Sequence, residues 1–381
     1  MRIPTLMTPG PTQVRENIRL ARAKECTNPD IDPVFYDFYK ETCLKIADLL
    51  NTKEEVLILS GEGILGLEAA CASLTEANDR VLVIDNGIFG QGFADFVSMY
   101  GGEPIMFKGD RTRGIDIKEL EVFLEKDHDF KYATVVHCDT PSGVLNPIDE
   151  ICPLLKSYNI ITVVDSVASM IGEPLLTDKW QVDIALGASQ KCISAPPGLT
   201  FLSISQDTWE AIETRKTPIA TYYCNLLIWK DYYKNQWFPY TMPISDINGL
   251  EVAVDNLLEE GLENVQRRHG EVGSYARERV EEAGLDLYLK DSFSNTVTVV
   301  KVPAHIDGTK PILEYIQKQD NIMVAGSFGY LQDKVIRIGH MGENAYIDKV
   351  KRTMDVLIEA IGNCKKSAGD KNINTSVLKN F

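Results

Sequence analysis

EVLILSGEGILGLEAA, residues 55–70, opens as an apolar run from Val56 to Leu59 and turns through Ser60-Gly61-Glu62-Gly63. It continues as a helical pattern with Leu67, Ala70 and Cys71 on one side. A strand, a glycine turn and a helix N-terminus make an anion site, because free backbone N–H groups and the helix dipole both favour negative charge there. The turn nevertheless carries a carboxylate, Glu62, where an anion would sit.

Working outward, short β-branched runs alternate with helical patterns from about residue 55 to 205: EVLILS, RVLVID, ATVVHCD, ITVVDS, VDIALGAS and LTFLSIS. Such alternation predicts crossover units and a mostly parallel sheet covered by helices on both faces, an α/β architecture. After FPYTMPISDING the texture changes to a long helical reading over residues 250–284. The strand candidates NTVTVVKV and KVIRIGH follow, with a closing helix over about 343–361. The expected organisation is an N-terminal arm (1–20), a large α/β domain (21–249), a smaller C-terminal α+β domain (250–364) and a polar tail (365–381).

The 381 residues are 44% hydrophobic, enough for a sizeable core. Lys plus Arg number 39 against 55 Asp plus Glu, and the net charge of -16 argues against a nucleic-acid surface and against acidic lipid. No stretch has the length and apolarity of a membrane span or signal core. The eight cysteines form no C-x-x-C pair and the five histidines show no ligand spacing, so reduced thiols, a cytoplasmic location and no metal site are expected.

Ligands of open α/β sheets bind beyond the carboxyl ends of the strands. Four such ends stand out: Asp165 in ITVVDSVAS, Lys191 in VDIALGASQKCISAPPGL, Asp139-Thr140 in ATVVHCDTPSG, and Phe89 in RVLVIDNGIFGQG. A strand-end Asp is most often a turn or cap residue, and a Lys most often a solvated charge. Lys191, however, sits among Gly, Ala, Ser and Pro rather than in a charged run, one crossover beyond Asp165. A desolvated lysine adds to an aldehyde as a Schiff base, an aspartate holds a pyridinium nitrogen protonated, and Phe89 offers a flat apolar face.

DSVAS, GASQKCISAPPGL and the N-terminal TPGP resemble the class V aminotransferases of fold type I, the group that includes alanine:glyoxylate and serine:pyruvate aminotransferases. The resemblance runs to about residue 361. It implies that Lys191 is the Schiff-base lysine and proton shuttle, Asp165 the partner of the ring nitrogen, and Phe89 the stacking position. Thr140 would neighbour the ring hydroxyl, and Arg337, in VIRIGHMG, would grip the substrate carboxylate with its planar fork. It also implies a homodimer or homotetramer with active sites at the interface.

Against that pattern the sequence departs at the phosphate end. The family offers a hydroxyl or small residue at the position of Glu62, often His or Thr at that of Ile64, and often a Tyr from the neighbouring subunit at that of Phe238, while Thr241 is kept. A phosphate monoester carries about -1.5 to -2 charges near neutral pH. At ~4 Å from an ionised carboxylate and an effective dielectric of ~20, the repulsion is on the order of 6 to 8 kcal/mol, comparable with a micromolar binding energy of ~8 kcal/mol. A neutral hydroxymethyl group would instead donate to Glu62.

Glu62, with Cys192 directly after the lysine, resembles the pyridoxamine:pyruvate branch of the family, which uses unphosphorylated vitamin B6 as substrate. The expectation is transamination of pyridoxamine with pyruvate to pyridoxal and L-alanine, in vitamin B6 degradation, with no permanent cofactor. The alternative is a pyridoxal 5'-phosphate enzyme of the alanine:glyoxylate or serine:pyruvate type. A non-catalytic B6 carrier would not need Lys191, and a cysteine desulfurase would need a cysteine in a mobile loop, which the sequence does not show. That branch has a second arginine near the substrate carboxylate, and the alignable position here is Phe328.

Overall fold

The computed structural model describes residues 3–369, with side chains described to residue 364. In chain order the strands of the main sheet are β1 (Glu55–Ser60), β2 (Arg80–Asp85), β3 (Glu103–Lys108), β4 (Tyr132–Val136), β5 (Ile161–Asp165), β6 (Ile184–Ala188) and β7 (Leu199–Ile204). Their spatial order is β1-β7-β6-β5-β4-β2-β3. All neighbours are parallel except at β7, which is antiparallel to both β1 and β6.

The direction of β7 follows from its connection. Only residues 189–198 separate it from β6, too few for the crossover that a parallel return needs. The chain therefore turns back directly, and this turn carries Lys191. Because β1 is also antiparallel to β7, it runs in the same sense as β2, β4, β5 and β6, and all five deliver their carboxyl ends to one edge. The strand EPIMFK, β3, was not among the expected ones. Proline, glutamate and lysine interrupt its apolar alternation, which suits its place at the sheet edge, half-covered.

Helices α1 (Pro33–Leu49), α2 (Gly63–Leu74) and α3 (Ile88–Met99) lie on the sheet, as do α4 (Ile117–Lys126) and α5 (Ile148–Ser157). The long helical run read over 250–284 is two helices, α6 (Ile244–Glu260) and α7 (Leu262–Glu282). Gly261, at φ +83°, breaks them apart, a left-handed conformation that glycine adopts without steric cost. Position 250 lies inside α6, whose apolar face, from Ile244 to Leu257, belongs to the core under the large sheet.

A second core gathers Val272, Ala276 and Val280 of α7 with residues of β8 (Val297–Lys301), α8 (Lys310–Asp320), β9 (Val335–Gly339) and α9 (Ile347–Gly369). Strands β8 and β9 pair antiparallel. Met7 is buried in this same core, and its neighbours Thr5 and Leu6 pair in parallel with Ile322 and Met323. The N-terminal residues therefore belong structurally with the C-terminal ones. Of the tail expected from residue 365, the stretch to Gly369 continues α9, and residues 370–381 lie outside the described residues. Among the described residues no helix is long and apolar enough to cross a membrane, and no cluster of three or more His, Cys, Asp or Glu could hold a metal ion.

Candidate active site

The shared edge of the five strands encloses a cavity of about 150 Å³. Glu62, Phe89, Thr140, Asp165 and Lys191 all line it, each on the turn after, or at the end of, a different strand. Phe89 is set by its backbone N–H, which donates to Asp139 Oδ1 at 2.9 Å, while Ser142 Oγ donates to Asp139 Oδ2 at 2.9 Å. Opposite Phe89 in composition, Val167 and Ala168 add apolar lining just past Asp165.

Asp165 is 5% exposed, and Val167 N–H donates to its Oδ1 at 2.9 Å. Burial is the main influence on its acidity and pushes its pKa up to about 7, against the lowering effects of Val167 N–H and Lys191; Asp139 and Glu62 add to the rise. A cationic ring nitrogen against this carboxylate would reverse the shift, so the site is built to receive positive charge.

Lys191 Nζ donates to the carbonyl of Pro9 at 2.7 Å. Burial lowers its pKa, Asp165 opposes that, and Arg337 reinforces it. A lowered pKa makes the free amine more available as a nucleophile and proton carrier. Gly10, at φ +99°, makes the approach possible: a Cβ there would stand 2.7 Å from Lys191 Nζ. The lysine turn is held from below by Thr12 Oγ1, which lies within hydrogen-bond distance of the Lys191 carbonyl at 3.1 Å and of Ser194 Oγ at 3.1 Å. Glu343 N–H also donates to Ser194 Oγ, at 2.8 Å.

Arg337, on β9, is partly buried beside the cavity rather than in its wall. Its Nε donates to Gly326 O at 2.6 Å, and its Nη1 donates to Thr140 O at 3.5 Å. Burial lowers its pKa to about 10, against the pull of Asp139. Among the described residues no carboxylate forms an ion pair with it, so the guanidinium is free to take an anionic ligand. Phe328 neighbours both Arg337 and Phe89: the Arg337 guanidinium is 5.5 Å from the Phe328 ring, which meets Phe89 edge-on at 6.0 Å.

At the opposite end, Glu62 turns back on its own helix. It is the N-cap of α2, with Oε1 accepting from Ile64 N–H at 3.1 Å and Oε2 from Gln190 Nε2 at 3.3 Å. The carboxylate thus fills the helix N-terminus that would otherwise be offered to a ligand anion.

Two of the expected residues, Cys192 and Thr241, do not line this cavity within the subunit, and neither does Phe238. Cys192 Sγ is buried beneath the lysine turn and points to Ala168 O at 3.7 Å. Thr241 is exposed, with Oγ1 donating to Asp30 Oδ2 at 3.0 Å. Phe238 is 5% exposed and stacks on Tyr36 at 4.5 Å within an aromatic core, so within this subunit it faces its own interior. Conversely, Gln190, Val167 and Pro9 were not anticipated. The first two stand one and two places from Lys191 and Asp165, a signal that was available; the Pro9 contact had no local sign.

The Aminotransferase class-V family profile matches residues 29–330. The chain is a class-V aminotransferase. It is 35% identical over 88% of its length to an uncharacterized aminotransferase of Methanocaldococcus jannaschii, covering 87% of that protein. It is 31% identical to pyridoxamine–pyruvate transaminase of Mesorhizobium japonicum, covering 83% of this chain and 81% of that one. An alanine–glyoxylate aminotransferase structure from Nostoc sp. superposes with a TM-score of 0.90 at 27% identity, covering 95% of this chain and 96% of that one.

Enzymes of this family generally depend on pyridoxal phosphate, and the cavity fits a B6 ring. It offers a buried amine for a carbonyl carbon, a carboxylate for a ring nitrogen and apolar faces for an aromatic plane. The mismatch lies at the phosphate end, where Glu62 sets an acceptor carboxylate in front of the helix N–H groups.

Proposed function

We propose that this aminotransferase acts on the unphosphorylated ring, transferring an amino group from pyridoxamine to pyruvate to give pyridoxal and L-alanine. The observation that carries the reading is Glu62: both of its oxygens already accept N–H donors at the N-terminus of α2, and both retain lone pairs for a neutral hydroxyl. A dianionic phosphate at that place would face a carboxylate with the helix N-terminus already capped.

A B6 ring supplies a carbonyl or amine carbon conjugated to an electron-withdrawing pyridinium. The chain's residues do the rest. Asp165 retains the proton on the ring nitrogen, Phe89 covers one ring face, and Arg337 binds the carboxylate of the keto acid. Lys191 Nζ, oriented by the Pro9 carbonyl, is placed to carry a proton between the substrate α-carbon and the exocyclic carbon of the ring. In this reading the ring enters as substrate and leaves as product, in vitamin B6 breakdown in the cytoplasm. A homodimer or homotetramer completes the site, in keeping with the half-exposed aromatics Tyr222, Tyr223 and Trp237.

The test is to identify the vitamer on freshly purified protein by mass and phosphorus content, and to titrate pyridoxal and pyridoxal phosphate by absorbance. Preference for pyridoxal is expected. Retention of stoichiometric pyridoxal phosphate through dialysis, with free pyridoxal rejected, would favour the second reading, a phosphate-dependent alanine–glyoxylate type. The Nostoc structure supports that reading at the level of the whole fold.

A further inference from the structure

Gln190 stands directly before Lys191 and lines the cavity, yet it is only 7% exposed. Its backbone is anchored, the carbonyl accepting from Thr12 N–H at 3.1 Å. Its side-chain amide is lopsided. Nε2 donates to Glu62 Oε2, while Oε1 is buried with no hydrogen-bond partner. A buried, unpartnered carbonyl oxygen costs stability, so an apolar side chain would serve a purely structural role at this position at least as well. What the amide does contribute is one N–H, and it is given to Glu62.

We infer that Gln190 is a positioning residue for ring selection, holding the Glu62 carboxylate turned inward so that it receives the hydroxymethyl group of the unphosphorylated ring. The inference rests on the reading proposed above and deepens it. Ile64 N–H fixes one carboxylate oxygen against the helix. That single contact leaves the carboxylate free to swing about it, and Glu62 lies on an exposed turn where water competes for it. The donor from Gln190 supplies the second point of attachment, from a different strand turn, and two points fix the plane of the carboxylate. With that plane fixed, the free lone pairs face the cavity, and a primary alcohol on the ring can donate to them. Selection for alcohol over phosphate ester is therefore shared between a residue that touches the ring substituent and one that aims it.

The experiment is an equilibrium absorbance titration with three probes, pyridoxal, 5-deoxypyridoxal and pyridoxal phosphate, at fixed pH and salt. It compares wild type, Gln190→Met, Gln190→Glu and Glu62→Gln, and Gln190→Met in the Glu62→Gln background. Gln190→Met keeps the length of the side chain and removes the donor; Gln190→Glu keeps its shape and replaces the N–H by an acceptor, so one variant can stand in should the other not fold. Each Gln190 variant is expected to weaken pyridoxal about fivefold to tenfold and to leave 5-deoxypyridoxal, which lacks the hydroxyl, within about twofold. In the Glu62→Gln background Gln190→Met should have little further effect, because coupled residues are not additive. Equal losses for pyridoxal and 5-deoxypyridoxal, or additive losses in the double variant, would show that Gln190 is merely structural and overturn the inference. A wild-type protein that binds pyridoxal phosphate more tightly than pyridoxal would instead sink the proposed function, and the two failures are read from different comparisons.

Discussion

Lys191 Nζ and the carbonyl oxygen of Pro9 meet at 2.7 Å across 182 positions of sequence. The contact joins the turn between β6 and β7 to the N-terminal segment, which is itself paired with the strand residues Ile322 and Met323. The amine is thereby held by a segment whose Met7 carbonyl accepts from Gly339 N–H at the end of β9, the strand that carries Arg337.

Replacing Lys191 by Ala removes the one amine that lines the cavity among the described residues. Turnover should fall at least about a thousandfold, while noncovalent ring binding persists through Phe89 and Asp165. Turnover near the wild-type rate without added amine would remove Lys191 from its role. Stopped-flow kinetics and an equilibrium titration on the same sample provide the two measurements.

Arg337→Ala should raise KM for the keto acid by roughly tenfold to a hundredfold, with pyridoxal affinity changed by less than about twofold. Among the described residues the guanidinium has no carboxylate ion-pair partner to strand when it is deleted, so its loss should be felt at the ligand. Unchanged keto-acid kinetics with collapsed pyridoxal binding would place the carboxylate receptor elsewhere.

Glu62→Ser removes a negative charge from the N-terminus of α2 and leaves a small hydroxyl whose oxygen can still accept from the helix N–H groups. The preference for pyridoxal over pyridoxal phosphate should narrow by at least about tenfold, or reverse. An unchanged ratio of the two affinities would mean that the carboxylate does not read this end of the ring.

Asp165 makes the unliganded protein sensitive to pH. Burial pushes its pKa up to about 7 from the ordinary 3.8, so between these values the folded state holds a proton that the unfolded state has lost. Stability from this group is complete below about pH 4 and declines as pH rises toward 7. Asp165→Asn, which cannot ionise, should therefore melt higher than wild type at pH 8, by an amount on the order of 1–4 kcal/mol, with the gap closing near pH 4. The same variant should bind pyridoxal more weakly. Thermal melts of ligand-free protein across this range measure the effect, and a gap that widens toward acid would contradict it.

Gly342 sits at φ +56°, and a Cβ there would run into Ser194 Oγ and the Cys192 carbonyl. Its N–H donates to His269 Nε2 at 2.9 Å, tying the loop after β9 to α7. Gly342→Ala should cost about 1–3 kcal/mol and should also disturb the lysine turn it packs against. Denaturant melts read the first effect, and the Lys191 absorbance signature with pyridoxal the second.

The strand runs EVLILS, RVLVID, ATVVHCD, ITVVDS, VDIALGAS and LTFLSIS were legible because strands buried on both faces read as short, continuous apolar runs rich in β-branched residues, a local property. EPIMFK was not, because an edge strand mixes polar residues into the pattern. The break at Gly261 was hidden for a related reason: the helical periodicity continues on both sides of it, and one glycine within such a pattern is often tolerated.

The sequence by itself determined the α/β class, the strand ends on which Phe89, Asp165 and Lys191 fall, and the helix start that Glu62 occupies. These depend on neighbours within a few residues, through periodicity, turn chemistry and capping. Only the tertiary structure decided that β7 runs against its neighbours, that Pro9 meets Lys191, that Gln190 reaches Glu62, and that Phe238 and Thr241 turn away from this subunit's cavity. Each of those is a contact between segments far apart in the chain, created when the two cores close, and no local pattern of residues encodes which distant carbonyl, amide or ring will be there.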